Sequence, residues 1–481
     1  MVARLKKYGH IKNAVYKFGR HFFCHYCKGL YRSYVSMRLK TFKKGVHPEE
    51  YKHLSEKKSL ERLPIPGEVF IPVHQHIGAP CRPLVEKGQE VKTGEIIGQS
   101  TGFVSSPVHA SISGKVKAVK NFPNPLGVNS LMIHIVGNGE DEWGDLPDET
   151  QDWENLNNEE IIGRIQKAGI VGLGGAAFPT HVKLTSPKEK PIDTFILNGC
   201  ECEPYLTADH RMMVEQTGDV VLGTRILMKV LNVKQAVIGI ENNKPDAIEA
   251  MEKATKVFDN IEVIPLKVKY PQGAEKMLIK ATIDRDVPAG GLPLDVGVVV
   301  NNVGTAVAVA DAVIRRKPLI ERVVTVTGDG IKEPKNVIAR IGTPFQNLVD
   351  FCGGLTDDTV KIIMGGPMMG VAQHSLNVPV IKATSGILCL TGRTVLKNKE
   401  YPCIQCGTCI GACPMNLLPT SLARYAQAGN WQTAKDLGIM NCIECGSCAF
   451  VCPSKIPLVH QIRIGKQKVN EMIKREKTEA V

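Results

Sequence analysis

Two runs of cysteine constrain this chain more than any other feature: Cys403-x2-Cys406-x2-Cys409-x3-Cys413-Pro414 and Cys442-x2-Cys445-x2-Cys448-x3-Cys452-Pro453. Three thiols two residues apart wrap a loop around one face of an iron–sulfur cube. The fourth, on a following helix, reaches across to the other cube. The spacing therefore predicts one [4Fe–4S] cluster on Cys403, Cys406, Cys409 and Cys452, and a second on Cys442, Cys445, Cys448 and Cys413. Ile404, Ile410 and Ile443 are expected to give apolar cover, and Gly407 and Gly446 to let backbone N–H groups approach the sulfurs. Zinc modules use separated C-x2-C pairs instead of four cysteines in one run. The chemistry implied is one-electron relay.

The 481 residues exceed what one hydrophobic core can organise, so several domains are expected. Fifteen cysteines, eight of them in two tight runs, fit metal ligation in a reducing compartment better than a disulfide scaffold. The net charge of +12 is misleading. Residues 1–41 carry ten Lys/Arg and no acid, and without them the chain has 50 bases against 48 acids. A basic nucleic-acid face is thereby not supported. No run of eighteen apolar residues exists; Leu294–Ile314, interrupted by Asp295, Asn301, Asn302 and Asp311, reads as a buried strand followed by a helix.

Along the chain the expected class is multidomain α/β and α+β. Residues 1–40 form a basic extension in which Cys24 and Cys27, with His10 or His21, are half of a zinc pattern without its other half. Met37 is a plausible alternative start. Residues 41–140 show short β-branched stretches with glycine turns at Gly88, Gly94 and Gly114, a β-sandwich pattern similar to biotinyl/lipoyl carriers. Its hairpin tip reads His109-Ala110-Ser111 where a carrier needs lysine, which predicts a docking module without cargo. His74 and His76 are a same-face strand pair, a weak metal signal. Residues 150–315 alternate strands (195–197, 236–240, 262–266) with helices (208–231, 245–257, 273–283), the pattern of a parallel sheet in a Rossmann-like domain. Asn157-Asn158-Glu159-Glu160 reads as its first helix start. Residues 316–392 read strand–turn–strand–helix, a small β-grasp-like module. Residues 393–464 form the helical cluster domain, and 465–481 a charged helical tail without a core face. Cys352 and Cys389 are expected in the core.

A one-electron relay needs a partner that exchanges single electrons for a hydride, and a flavin does so. GLGGAAFPTHVKL (172–184) offers a place for one. Gly172, Gly174 and Gly175 let amides close around a phosphate or flavin edge, and Lys183 adds a charge. It is neither a Walker A loop nor the dinucleotide G-x-G-x-x-G, since Phe178-Pro179 stands where a helix should begin. On composition alone a tight turn is an equal reading.

This loop resembles the flavin-loop motif shared by the flavin subunit of respiratory complex I and the RnfC family, the C subunits of Rnf (Rsx) electron-transport complexes. FKKGVHPEEY, QHIGAP, NGCECEPYLTADHR, YPQGAEKMLI, GGLPLDVGVVVNNVGTA and IMGGPMMG are similar to the RnfC pattern in the same order, from about Thr41 to Ile464. The doubled cysteine run separates the chain from the complex I protein and from the related chain of the Na⁺-pumping quinone reductase. The resemblance implies non-covalent FMN with NAD(H) beside it. Gly172, Gly174, Gly175 and Lys183 would line that pocket. Asn198, Glu201 and Glu203 would sit by the isoalloxazine and nicotinamide, and Asn301, Asn302 and Thr305 would hold the ribityl-phosphate end. Two positions depart from the family, Ala177 and Lys44, each standing where glycine is usual.

The resemblance further implies a peripheral subunit of an ion-translocating ferredoxin:NAD⁺ oxidoreductase on the cytoplasmic face of the cell's inner membrane. Its expected partners are a ferredoxin-like relay subunit, integral-membrane subunits and NAD(H), with no nucleic acid. The rival expectation, motivated by Ala177, is a relay or scaffold subunit that has lost its flavin.

Overall fold

The computed structural model describes residues 39–479 except 147, 151, 186, 188 and 396–398. The Cys24/Cys27 pattern and the Met37 start lie outside the described residues.

Alternation of side chains builds the central sheet. Ile261–Leu266, Gln235–Glu241, Thr194–Gly199 and Val298–Asn302 lie side by side in that order, all parallel. Phe195, Leu197, Ile238 and Val299 face one helical layer, while Ile196, Val237, Val298 and Val300 face the other. Both faces are therefore apolar, as a covered parallel sheet requires. Asn157 caps the first helix, Asn158–Lys167, in a reciprocal box with Glu160. Helix Thr217–Leu231 crosses Val303–Val313 at Gly223, where a Cβ would meet the Ala306 carbonyl at 1.9 Å.

The chain enters this sheet at Thr194–Gly199, adds two strands on one side, then returns to place Val298–Asn302 on the other. The carboxyl ends of Thr194–Gly199 and Val298–Asn302 consequently diverge in connectivity while lying adjacent in space, with Asn198 opposite Asn302. Such a switch point opens a crevice.

Three other units surround it. Glu68–Pro72, Asn129–Gly137, Gly114–Pro123 and Glu90–Val91 form one sheet, packed on a small sheet of Arg82–Pro83, Ile96–Gln99 and Val108–His109 around a core of Val69, Ile71, Ile97 and Ile133. The His109-Ala110-Ser111 segment is buried in place of forming an exposed tip, and the Ser111 hydroxyl donates to the Ile341 carbonyl at 2.5 Å. His74 and His76 lie beyond the strand end, not on it, and engage backbone groups of Gly78, Ile77 and Ser106. The six-stranded sheet of the 316–392 module draws in Leu60–Arg62 as an edge strand, so the chain before residue 140 serves two units. Cys352 and Cys389 are fully buried there.

The last helix, Leu458–Glu479, corrects the expectation of a tail without a core face. Ile462 and Val469 are buried against Leu422, Ala426 and Ile439, and Lys466 donates to the Cys442 carbonyl at 2.8 Å. A boundary at 464 cuts through this helix. Between units, the buried Lys382 ammonium donates to the Pro107 and Gly169 carbonyls, tying the sandwich to the base of the glycine loop.

Candidate functional site

The glycine loop leaves helix Asn158–Lys167, turns at Leu173–Ala176 and enters the short helix Thr180–Leu184. Gly172 N–H closes the turn onto the Phe178 carbonyl at 2.8 Å. Gly174 lies against Asn302, where a Cβ would stand 3.2 Å from the Asn302 Cβ. Gly175 has φ +121° and open space beside it, a conformation that glycine alone adopts without strain. Two buried groups fix the loop from below. Leu173 N–H donates to the Thr305 hydroxyl at 2.9 Å, and the Arg322 guanidinium donates to the Leu173 carbonyl. The loop thus lies over the carboxyl end of Val298–Asn302, at the switch point.

The two positions at which the resemblance implies glycine both fall at left-handed residues: Ala177 has φ +49° and Lys44 φ +62°. Glycine is the residue that costs least there. The chain bears the strain of an L side chain at both.

Around the crevice, Asn302 caps helix Val303–Val313 through Gly304 N–H and donates to Asp209 at 2.6 Å. Asp209 is half-buried, and desolvation together with the Glu201 carboxylate raises its pKa. Asn198 donates to the Gly273 carbonyl and accepts from Cys200 N–H. Glu201, at φ +46°, accepts from the N–H groups of Asp209 and His210 at the start of helix Ala208–Glu215. Glu203 accepts from Met368 and Met369 N–H at 3.1 and 2.9 Å, and burial pushes its carboxyl up to about 7. Lys183 is committed to Glu275 at 2.8 Å and the Val300 carbonyl at 2.7 Å. Thr305 serves the loop and Asn302 the helix. Asn301, by contrast, is buried with its amide nitrogen unpartnered. A buried donor without a partner, on the residue next to the Asn302 that Gly174 packs against, fits a ligand with acceptor oxygens.

The cysteine runs adopt matched backbones. Gln405 and Glu444 both have φ 57°, Gly407 and Gly446 both start helices in the left-handed region, and Asn416 and Lys455 have φ 57° and 54°. Each run directs the same amide at sulfur: Gln405 N–H to Cys403 Sγ and Glu444 N–H to Cys442 Sγ, both at 3.4 Å. The glycines serve the turn, and the neighbouring residues supply those amides. Cys413 lines one cavity with Cys442, Cys445 and Cys448, walled by Leu422, Ile443 and Ile462. That apolar room, faced by four thiols, fits a cube. At the other run, Tyr401 N–H bonds the Ser454 carbonyl and the Ser454 hydroxyl bonds the Pro402 carbonyl, which lays the approach to Cys403 beside Cys452.

The two runs differ in environment. Cys403 and Cys406 are exposed, and Ile404 at 68% exposure points outward, contrary to the expectation of cover. The second run is buried against the flanking domains. Tyr270 donates to the Cys445 carbonyl at 2.7 Å, and the Met368 carbonyl lies so close to Gly446 that a Cβ would come within 2.7 Å of it. Met368 also donates to Glu203, so a single residue bridges the crevice loop and the second run.

Four family models match the chain: the Nuo51 FMN-binding domain over residues 165–311, the RnfC barrel sandwich hybrid domain over 40–140, the SLBB domain over 323–372 and a 4Fe-4S dicluster domain over 402–456. The C subunit of the proton-translocating ferredoxin:NAD(+) oxidoreductase complex of Clostridium ljungdahlii is 53% identical over 398 residues, 83% of this chain and 87% of the relative. Its counterpart in the Na(+)-translocating complex of Acetobacterium woodii is 47% identical, covering 90% and 98%. This chain belongs to the RnfC family. A third member, the C subunit of the ion-translocating oxidoreductase complex of Rhodobacter capsulatus, is 43% identical over 89% of this chain and 83% of its own length. The chain is multidomain, with mixed α/β content, and its cofactors are FMN and [4Fe–4S] clusters. The FMN-binding match spans the crevice and its glycine loop, and the dicluster match spans both cysteine runs.

Proposed function

We propose that this RnfC protein carries electrons along a line from the exposed cysteine run, through the buried one, to a flavin in the switch-point crevice and on to NAD(H). The observation that carries this reading is the asymmetry of the two runs. Cys403 and Cys406 lie at the surface, and Cys445 is bonded to Tyr270, which also reaches Glu203 at the crevice rim at 3.4 Å.

Bound FMN supplies the exchange between a hydride pair and single electrons. The chain's own residues orient and enclose it. Gly174 and Gly175 give access to the loop amides, and Asn301 offers a free buried donor. Asn198, Glu201 and Glu203 edge the opening where a nicotinamide would stack. Cys403, Cys406, Cys409 and Cys452 hold the outer cluster, and Cys442, Cys445, Cys448 and Cys413 the inner one. No general acid is needed at either. The finer fold reading is a Rossmann-like flavin domain and a β-grasp-like module.

Among the described residues no helix is long and apolar enough to cross a membrane. On this reading the chain is a peripheral subunit on the cytoplasmic face, with ion movement in integral-membrane partners and the outer cluster meeting a ferredoxin-like relay subunit.

The test is anaerobic purification followed by flavin and iron analysis. One FMN with about eight irons, both reducible by NADH, supports the reading. Iron with no flavin, even after FMN is added, establishes the relay-scaffold alternative instead.

A further inference from the structure

Lys52 lies far in sequence from every residue of the crevice, yet its ammonium is buried beneath it. All three of its hydrogens have partners: the carbonyls of Glu201 at 2.8 Å, Glu203 at 3.0 Å and Leu206 at 2.6 Å. The side chain is 4% exposed. Flanking contacts lock the same two segments together, since Tyr205 N–H donates to the Glu50 carbonyl and the rings of Tyr51 and Tyr205 stack at 4.6 Å. A second buried lysine, Lys244, donates to the Cys200 carbonyl at 2.7 Å. Four carbonyls of the 200–206 loop are thus gathered onto two ammonium groups.

A surface lysine would shed most of its field into water, and a lysine paired with a carboxylate would cancel it. Lys52 is held directly by neutral carbonyls in a dry site. Burial and Lys244 oppose its charge, and the Glu201 and Glu241 carboxylates support it. The part of its field they leave uncancelled acts over a longer range than at the surface. That field favours negative charge arriving in the crevice.

We propose that Lys52 is a positioning residue for the flavin, fixing the 200–206 loop and biasing the bound cofactor toward its reduced form. The inference rests on the flavin reading above. It predicts a role for a residue that touches neither flavin nor nicotinamide.

The test uses the full chain with its cofactors and the variants Lys52→Gln and Lys52→Arg. Flavin and iron contents are measured first. The NADH/NAD⁺ ratio that half-reduces the flavin is then read from its absorbance. Lys52→Gln is expected to keep both cofactors and raise that ratio about tenfold, equivalent to about 30 mV for a two-electron couple. Lys52→Arg, which keeps the charge, is expected to stay within about twofold of the parent, even if it melts earlier. An unchanged ratio in Lys52→Gln, or an equal shift in both variants, overturns the proposal. So does loss of flavin in both variants, with or without iron, because the side chain would then build the pocket or the fold and not tune the cofactor. If the parent chain itself binds no flavin, the functional reading fails, a result distinct from each of these.

Discussion

The phenolic hydroxyl of Tyr270 donates to the carbonyl oxygen of Cys445 at 2.7 Å, joining the flavin domain to the buried cysteine run. Tyr270 is 1% exposed, so the bond is shielded from water. Tyr270→Phe keeps the ring and deletes the donor, leaving a buried carbonyl short of a partner at a cost of about 1–3 kcal/mol. The variant is expected to retain both cofactors, to melt earlier, and to transfer electrons from NADH to iron several-fold more slowly. Stopped-flow bleaching of the iron absorbance measures the rate. A variant with the parent's rate and melting temperature would show that this contact governs neither.

Ala177 and Lys44 occupy left-handed backbone, where glycine costs least. An L side chain there costs about 1–2 kcal/mol, partly returned by the greater freedom of glycine in the unfolded chain. Ala177→Gly is therefore expected to stabilise the protein by roughly 0.5–1 kcal/mol and to leave flavin content unchanged. Chemical denaturation followed by flavin fluorescence checks both. A loss of flavin would mean that the Ala177 methyl, itself buried, packs the loop in its binding shape.

Gly174→Val puts branched methyl groups toward Asn302, where the first added carbon is already tight at 3.2 Å. Flavin binding should be lost while iron content stays intact, because Gly174 packs against Asn302 and against neither cysteine run. Metal and flavin analysis of the purified variant separates the two effects. Loss of both together would assign the glycine to folding.

Glu203 is half-buried, and desolvation raises its carboxyl from 4.5 to about 7. An acid raised on folding contributes fully below the unfolded value, and that contribution is lost as pH rises through the folded one. Between pH 4.5 and 7, the parent's stability should fall relative to Glu203→Gln by on the order of 3 kcal/mol, then run parallel above that window. Urea unfolding of both proteins across this range gives the difference. A difference independent of pH would place the titration elsewhere.

Much of this architecture is local and so can be read along the chain. The cysteine spacing, the Asn157 cap and the period-two strands at 194–199 and 235–241 each reside within a few residues. The deciding groups of the crevice are not local. Lys52, Arg322 and Tyr270 reach partners some 150 to 175 positions away, and a lone buried cation among charged neighbours leaves no periodic trace. Ile404 fails as cover because proximity to a cysteine says nothing about which side a loop exposes. The final helix is readable: Leu458, Ile462, Val469 and Ile473 recur at helical spacing, and the expected boundary at 464 splits the pattern.

The order of the clusters yields the most direct prediction. On the proposed ligand sets Cys403→Ala removes a ligand of the exposed site and Cys445→Ala one of the buried site, and each is expected to lose about four irons. In Cys403→Ala the surviving cluster lies against Tyr270 and Met368, so NADH should still reduce it at close to the parent's rate. In Cys445→Ala the surviving cluster is separated from the crevice by the vacant inner site, and NADH should reduce it at least tenfold more slowly. Reduction of an exogenous one-electron protein acceptor should fail in both, in the first for want of an outlet and in the second for want of a supply. Low-temperature electron paramagnetic resonance after NADH addition distinguishes the surviving clusters. Equal reduction in the two variants would mean that both sites exchange electrons with the flavin directly, and the linear path would be wrong.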